Sequence, residues 1–123
     1  MGAALIFGSI SYEDWTFLEP LRGRCTVICA DGGVRLAEEA GFSPDVYIGD
    51  GDSGGMPHTG VASVVLPAEK DLTDLQAAYE YVRDHGFRTA VFTACTGGRQ
   101  DHHLANLALL ERAWEDGLQA FIL

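Results

Sequence analysis

Apolar residues follow two alternating patterns along the chain: short continuous runs, and longer stretches in which they recur every third or fourth position. The continuous runs are typical of strands buried on both faces of a sheet. They predict strands at residues 3–8, 25–31, 45–50, 62–67 and 88–95, with a last strand beginning at residue 119.

The longer stretches predict amphipathic helices between these strands. The clearest helix covers residues 73–86 and ends at Gly86. Its apolar residues recur at i, i+3, i+4 and i+7, and they are Leu75, Ala78, Tyr79 and Val82. Further helices are expected at residues 12–21, 33–41 and 102–116.

Buried strands that alternate with amphipathic helices favour a parallel sheet covered on both faces. We therefore expect an α/β fold, namely a three-layer, doubly wound, mostly parallel sheet with helices on both faces. A chain of 123 residues suffices for one core and is too short for two. We expect a single domain over residues 1–123.

Composition and charge exclude several kinds of partner. With 18 acidic against 8 basic residues, nucleic acid is not an expected partner, because binding to its backbone needs clustered Lys and Arg. The apolar runs are too short to span a membrane, and no signal peptide is visible. The 3 cysteines lack zinc-like spacing and suit a reducing compartment. The expected location is cytoplasmic.

Polar, glycine-rich segments follow five of the predicted strands. They are Gly8–Ser9, Asp31–Gly33, Asp50–Ser53, Lys70–Asp71 and Thr96–Arg99. Because the carboxyl ends of parallel strands lie along one edge of the sheet, where ligands bind in such folds, these segments should meet there. The segments at the opposite edge carry little besides turn residues and ordinary surface charge. The sequence therefore predicts a ligand site at the carboxyl edge.

Two of these segments carry carboxylates. Asp50 and Asp52 offer oxygen ligands that suit Mg²⁺, although the same residues are also typical of a simple Asp-Gly turn. Lys70, the only lysine of the chain, lies close to Asp71 and Asp74. A lysine among carboxylates is suited to hold a phosphate or to balance the charge of the site.

The segment before the last predicted helix has the features of an anion site. Gly97 and Gly98 would expose backbone N–H groups where a helix begins. Arg99 can contact phosphate oxygens through two N–H groups at once.

Each candidate residue in the first turns of that helix has two possible roles, one structural and one functional. Asp101 suits an N-cap, or a base or a group that orients a ligand. His102 and Asn106 suit a binding role or ordinary positions on an exposed helix.

Four sequence segments together resemble the catalytic domain of thiamine pyrophosphokinase (thiamin diphosphokinase). They are "ADGG" (30–33), "PDVYIGDGDS" (44–53), "EKDLTD" (69–74) and "TGGRQDHHLANLALL" (96–110). They occur in the family's order and cover most of the chain. The resemblance implies transfer of a pyrophosphoryl group from ATP, the co-substrate, to the hydroxyl of thiamine, with Mg²⁺ as cofactor.

The resemblance also implies roles for individual residues. The implied metal ligands are Asp50, Asp52 and Asp74. The residues implied to be catalytic, as metal ligands or as groups that orient substrate or assist removal of the hydroxyl proton, are Asp50, Asp71, Asp74 and Asp101. The residues implied to bind nucleotide or phosphate are Asp31, Gly32, Ser53, Lys70, Thr96, Gly97, Gly98, Arg99, His102 and Asn106.

In this family a second, β-rich domain helps to form the thiamine pocket across a homodimer. That domain is absent from these 123 residues. We therefore expect the natural protein to continue past Leu123 and the chain to be the catalytic half of a homodimeric enzyme.

Two alternatives remain open. The chain could be a non-catalytic module that binds nucleotide or metal. "YIGDGDSGG" also loosely resembles the nucleophile loop of haloacid-dehalogenase-type phosphatases, in which Asp50 would be phosphorylated. That loop normally follows the first strand of its domain, whereas here it follows the third.

Overall fold

The computed structural model describes residues 2–8, 10–30, 33–49, 62–65, 74–95 and 100–123, and gives the backbone alone at residues 62–65, 74 and 100–107. The strands are β1 (Ala3–Phe7), β2 (Cys25–Ala30), β3 (Val46–Gly49), β4 (Ala62–Val65), β5 (Thr89–Thr93) and β6 (Gln119–Ile122). The α-helices are α1 (Gly33–Glu39), α2 (Asp74–Asp84) and α3 (Gln100–Glu115), and a 3₁₀ helix covers Thr16–Leu21.

The six strands form one sheet in the order β4-β3-β2-β1-β5-β6, and every neighbouring pair is parallel. From β1 the chain adds β2, β3 and β4 on one side, and then crosses to the other side of β1 to form β5 and β6. The direction of the strand order therefore reverses between β1 and β5. In open α/β sheets ligands bind at the carboxyl edge near such a reversal, and here the backbone that follows β1 bonds to the end of β5 at this position.

Alternating side chains divide the core into two layers, one on each face of the sheet. In β1, Ile6 packs with α2 and α3, whereas Leu5 and Phe7 pack with α1 and the 3₁₀ helix. These residues are fully buried, as expected for strands covered on both sides. The structure thus confirms the predicted three-layer α/β fold with helices on both faces.

The prediction of a helix at residues 12–21 was wrong for residues 12–15. Only Thr16–Leu21 is helical, and it forms a 3₁₀ helix rather than an α-helix. The Asp14 carboxylate accepts hydrogen bonds from the Thr16 backbone N–H and hydroxyl, each at 3.0 Å. Such local bonds compete with helix formation. Pro20 lies inside the short helix and supplies no backbone N–H for an α-helical bond.

The other predicted elements are confirmed, with ends that differ by a few residues. In the described part of the chain, no helix is long and apolar enough to cross a bilayer.

Candidate functional site

The carboxyl edge of the sheet is closely packed where β1 and β5 end. Gly8 N–H donates to Thr93 O at 2.8 Å. A Cβ at Gly8 would lie 2.6 Å from Ala94 O, and a Cβ at Gly33 would lie 2.5 Å from Phe7 O. Real Cβ atoms do not come this close to backbone oxygens. Two glycines therefore let the start of α1 and the end of β5 approach β1.

The first residues of α2 and α3 lie at the same edge. Each helix leads from the carboxyl end of one parallel strand to the amino end of the next strand. The amino ends meet at the opposite edge, where Arg88 N–H donates to Gly2 O (3.3 Å) and Gln119 N–H donates to Arg88 O (3.1 Å). Asp74 is the first residue of α2, and Asp101 is the second residue of α3.

The structure places the backbone of four predicted site residues in these two helices. Asp74, Asp101 and His102 lie in first turns at the carboxyl edge, and Asn106 lies one turn further along α3. Since helix N-termini attract negative charge through their free N–H groups and their dipole, this edge is suited to bind anions.

The remaining predicted site residues lie outside the described residues. They are Asp31, Gly32, Asp50, Asp52, Ser53, Lys70, Asp71, Thr96, Gly97, Gly98 and Arg99. Three of these groups follow strands directly in sequence. Strand β2 ends at Ala30, β3 ends at Gly49, and Cys95 lies two residues after the end of β5. These strand ends lie at the carboxyl edge.

The chemistry of the predicted metal ligands fits Mg²⁺, which prefers carboxylate oxygens. Asp50 and Asp52 follow β3 in sequence, and Asp74 begins α2, which packs over β2 and β3. Two adjacent elements would therefore supply the three carboxylates. Among the described residues alone, no group of three or more His, Cys, Asp or Glu could hold a metal ion.

The cysteines near the site are suited to packing rather than to chemistry. Burial raises the pKa of Cys95 to about 11. Burial, together with the charges of Glu38 and Asp45, raises the pKa of Cys29 to about 12. Because the thiolate is the reactive form, both thiols are unreactive at neutral pH.

Sequence reasoning missed a contact at this edge. The Cys95 backbone N–H donates to the Tyr12 hydroxyl at 3.3 Å, across 83 positions of sequence. Ala94, between Cys95 and β5, has a positive φ of 59°. The Thr93 hydroxyl is fully buried, and within the described structure it has no hydrogen-bond partner. No periodicity or motif indicates such contacts, because they depend on how distant segments meet.

Comparison with solved structures shows the same fold in longer proteins. Thiamin pyrophosphokinase from Geobacillus thermodenitrificans is 27% identical with a TM-score of 0.75, and the match covers 100% of this chain and 59% of that one. A thiamin pyrophosphokinase family protein from Enterococcus faecalis is 28% identical with a TM-score of 0.75, covering 98% and 61%. Thiamine pyrophosphokinase from Bacillus subtilis, at 21% identity, supports the fold alone, with a TM-score of 0.78 and coverage of 98% and 59%.

The chain thus spans about three-fifths of the length of these solved proteins. No curated protein matches it. The family model described as "Thiamin pyrophosphokinase, catalytic domain" matches residues 19–122. That match includes all four sequence segments on which the resemblance was based. The chain belongs to the thiamin pyrophosphokinase catalytic-domain family.

Proposed function

We propose that this chain is the catalytic domain of an enzyme that transfers a pyrophosphoryl group from ATP to the hydroxyl of thiamine, giving thiamine diphosphate and AMP. The observation that carries the proposal is the family match over residues 19–122. The parallel sheet supports it, because two helix starts and the ends of the strands lie together at one edge, as a nucleotide site requires.

Mg²⁺ would be held by Asp50, Asp52 and Asp74, and when bound it neutralises charge on the phosphate oxygens. Lys70 and Arg99 would bind the phosphates from the protein side. Such positive groups are needed because the chain carries a formal charge of −10, which by itself repels a polyphosphate.

Other residues would position the two substrates. Backbone N–H groups of Gly97 and Gly98 would bind phosphate oxygens at the start of α3. Asp71 and Asp101 would orient the thiamine hydroxyl or accept its proton. In transfers of this kind, positioning and electrostatic stabilisation contribute more than covalent chemistry.

The assembly proposed for this enzyme follows from the family resemblance, and the proposed location follows from the cysteines of the sequence, which suit a reducing compartment. We place the protein in the cytoplasm as a homodimer, with the remaining part of the thiamine pocket supplied by sequence beyond these 123 residues. The solved family members are longer than this chain, as a further pocket-forming segment requires.

The direct test is phosphorus NMR of the purified chain with ATP, Mg²⁺ and thiamine. The expected products are AMP and thiamine diphosphate. Free phosphate without AMP would instead indicate a phosphatase. Unchanged ATP calls for the same measurement on a chain extended to the length of the solved relatives. Binding of ATP without turnover in both chains would show a non-catalytic module.

Asp52→Asn tests the metal assignment by calorimetric titration with ATP in the presence and absence of Mg²⁺. We expect the variant to lose Mg²⁺-dependent binding. The thermal midpoint should be unchanged or slightly higher, because repulsion between carboxylates falls.

The matched control is Asp84→Asn, which makes the same charge change at the exposed end of α2, at the opposite edge of the sheet. The control should bind like the unmodified chain. Equal nucleotide affinity in Asp52→Asn and the control would exclude Asp52 as a metal ligand.

A further inference from the structure

Residues that follow β1 hold the backbone of three successive residues at the end of β5. The hydrogen bonds are Gly8 N–H to Thr93 O (2.8 Å), Ile10 N–H to Ala94 O (2.8 Å) and Cys95 N–H to the Tyr12 hydroxyl (3.3 Å). The first two bonds join backbone atoms alone. The third depends on a side chain, so a single substitution can remove it.

The middle residue of this trio has an unusual backbone conformation. Ala94 has a φ of 59° and is fully buried. A residue with a Cβ adopts this region only when its surroundings hold it there, and such residues occur preferentially at functional sites. The hydrogen bonds on both sides of Ala94 supply that restraint, and they do so directly before residues 96–99.

The Tyr12 side chain is itself fixed at both ends. Its ring stacks on Trp15, with centroids 5.2 Å apart and an interplanar angle of 25°. Its hydroxyl donates to Leu123 O at 3.1 Å while it accepts from Cys95 N–H. A hydroxyl held in this way defines the position of the Cys95 amide better than a solvent molecule could.

We infer that Tyr12 is a positioning residue for the phosphate-binding segment Thr96–Arg99, an inference that rests on the proposed function. Cys95 immediately precedes this segment in sequence, so the bond that holds the Cys95 amide also holds the backbone to which Thr96 is joined. Displacement of that amide would displace the attachment point of the segment, and we expect weaker binding of phosphate as a result. Tyr12 acts through Cys95 and needs no contact with the nucleotide.

Tyr12→Phe tests the contribution of the hydroxyl alone. Phenylalanine lacks the hydroxyl but keeps the ring that stacks on Trp15. In the 123-residue chain without ligand, we expect faster amide hydrogen exchange at Cys95. We also expect the dissociation constant for Mg-ATP to rise about threefold to tenfold, the effect of losing one hydrogen bond that positions the ligand. Where turnover is measured, the KM for ATP should rise while the KM for thiamine stays constant.

Trp15→Phe is the matched control. Trp15 belongs to the same aromatic stack, and its indole N–H has no hydrogen-bond partner within the described structure. The control should lower the thermal midpoint through lost packing, and it should leave the affinity for Mg-ATP within about twofold.

Four outcomes would each overturn one part of this argument. Unchanged affinity for Mg-ATP in Tyr12→Phe, or an equal loss in Trp15→Phe, would overturn the positioning role. Unchanged exchange at Cys95 would overturn it even without nucleotide data, because the hydroxyl would then not hold the amide. Failure of the unmodified chain and of its extended form to bind Mg-ATP would overturn the proposed function instead.

Discussion

Gly33 shows how closely the start of α1 approaches the end of β1. A Cβ at this position would lie 2.5 Å from Phe7 O and 2.9 Å from Gly8 O. Both atoms belong to the backbone at the end of β1 and just after it, and they cannot turn away as a flexible side chain could. We expect Gly33→Ala to lower the free energy of unfolding by about 1–3 kcal/mol, the usual cost of overpacking, as measured by urea denaturation.

Gly2→Ala provides the comparison for this prediction. A Cβ at Gly2 would meet nothing within 4 Å, so the same change of residue should alter the free energy of unfolding by no more than about 0.5 kcal/mol. Equal stability of the two variants would show that α1 can move away from β1 at little cost.

The buried thiol of Cys29 makes stability depend on alkaline pH. Its pKa is about 12 in the folded chain, against 9.0 for an unperturbed thiol. Above pH 9 the unfolded chain loses a proton that the folded chain keeps, so this contribution to stability is present below pH 9 and falls as the pH rises toward 12. We expect the stability advantage of the unmodified chain over Cys29→Ala to shrink by about 1 kcal/mol between pH 8 and pH 10.

The test is to measure the urea midpoints of the unmodified chain and of Cys29→Ala between pH 8 and pH 10. The difference between them is the relevant quantity, because Cys95 and Tyr79 also have raised pKa values and affect both chains equally. A difference that stays constant from pH 8 to pH 10 would show that the Cys29 thiol ionises in the folded state.

At the residue scale, the sequence predicted candidate site residues but not the contacts between distant segments beside them. Asp50 and Asp52 were predicted from residue type and spacing, which are local properties, and they lie outside the described residues. The bond between Tyr12 and Cys95 joins positions 83 residues apart and depends on the strand order. No local signal could predict it.

At the scale of elements, α2 and α3 are joined by a tyrosine buried between them. The hydroxyl of Tyr79, a fully buried residue, donates to the Asp116 carboxylate, and the Arg112 guanidinium lies 5.3 Å from the centre of its ring. Burial, followed by the bond to Asp116, raises the pKa of Tyr79. We expect Tyr79→Phe to lower the free energy of unfolding by about 1 kcal/mol, the typical value of one hydrogen bond.

Tyr81→Phe is the control for Tyr79→Phe, because it removes a hydroxyl from the same helix. Tyr81 is half-buried and stacks on His85, with centroids 3.8 Å apart. Thermal or urea unfolding should show a loss smaller than about 0.5 kcal/mol for this variant. Equal losses in both variants would mean that the bond to Asp116 contributes nothing of its own.

Most elements could be predicted because each has its own periodic pattern. Continuous apolar runs identified the strands, and the repeat of Leu75, Ala78, Tyr79 and Val82 identified α2. The prediction of a helix at residues 12–21 was wrong because apolar spacing alone did not reveal the competition from Asp14, whose carboxylate binds the Thr16 N–H and hydroxyl. A local hydrogen bond there outweighed the helical pattern.

At the scale of the whole molecule, the excess of acidic residues is the dominant electrostatic feature. The formal charge is −10. The Arg22–Glu19 pair is exposed and the Arg112–Glu80 pair is half-buried. Exposed pairs contribute about 0–1 kcal/mol each. Salt weakens both the attraction within these ion pairs and the repulsion among the excess acidic residues. We expect the weakening of the repulsion to have the larger effect on stability.

We therefore expect the thermal midpoint to rise as NaCl increases from about 0.01 M to about 0.1 M, which shortens the Debye length from about 30 Å to about 10 Å. The effect should vanish near pH 4.5, the isoelectric point of the sequence. A midpoint that falls with salt at neutral pH would show that the ion pairs outweigh the net repulsion.

The sequence by itself determined the class of fold and the order of the elements, and through its motifs it predicted the candidate site residues. These properties depend on local periodicity and on residue types at short spacing, which the chain displays directly. The tertiary structure decided the strand order, the reversal between β1 and β5, the close approaches at Gly8 and Gly33, and the restraint of Cys95 by Tyr12. Each of these depends on which distant segments pack together, and that is set by the free energy of the whole fold rather than by any one segment.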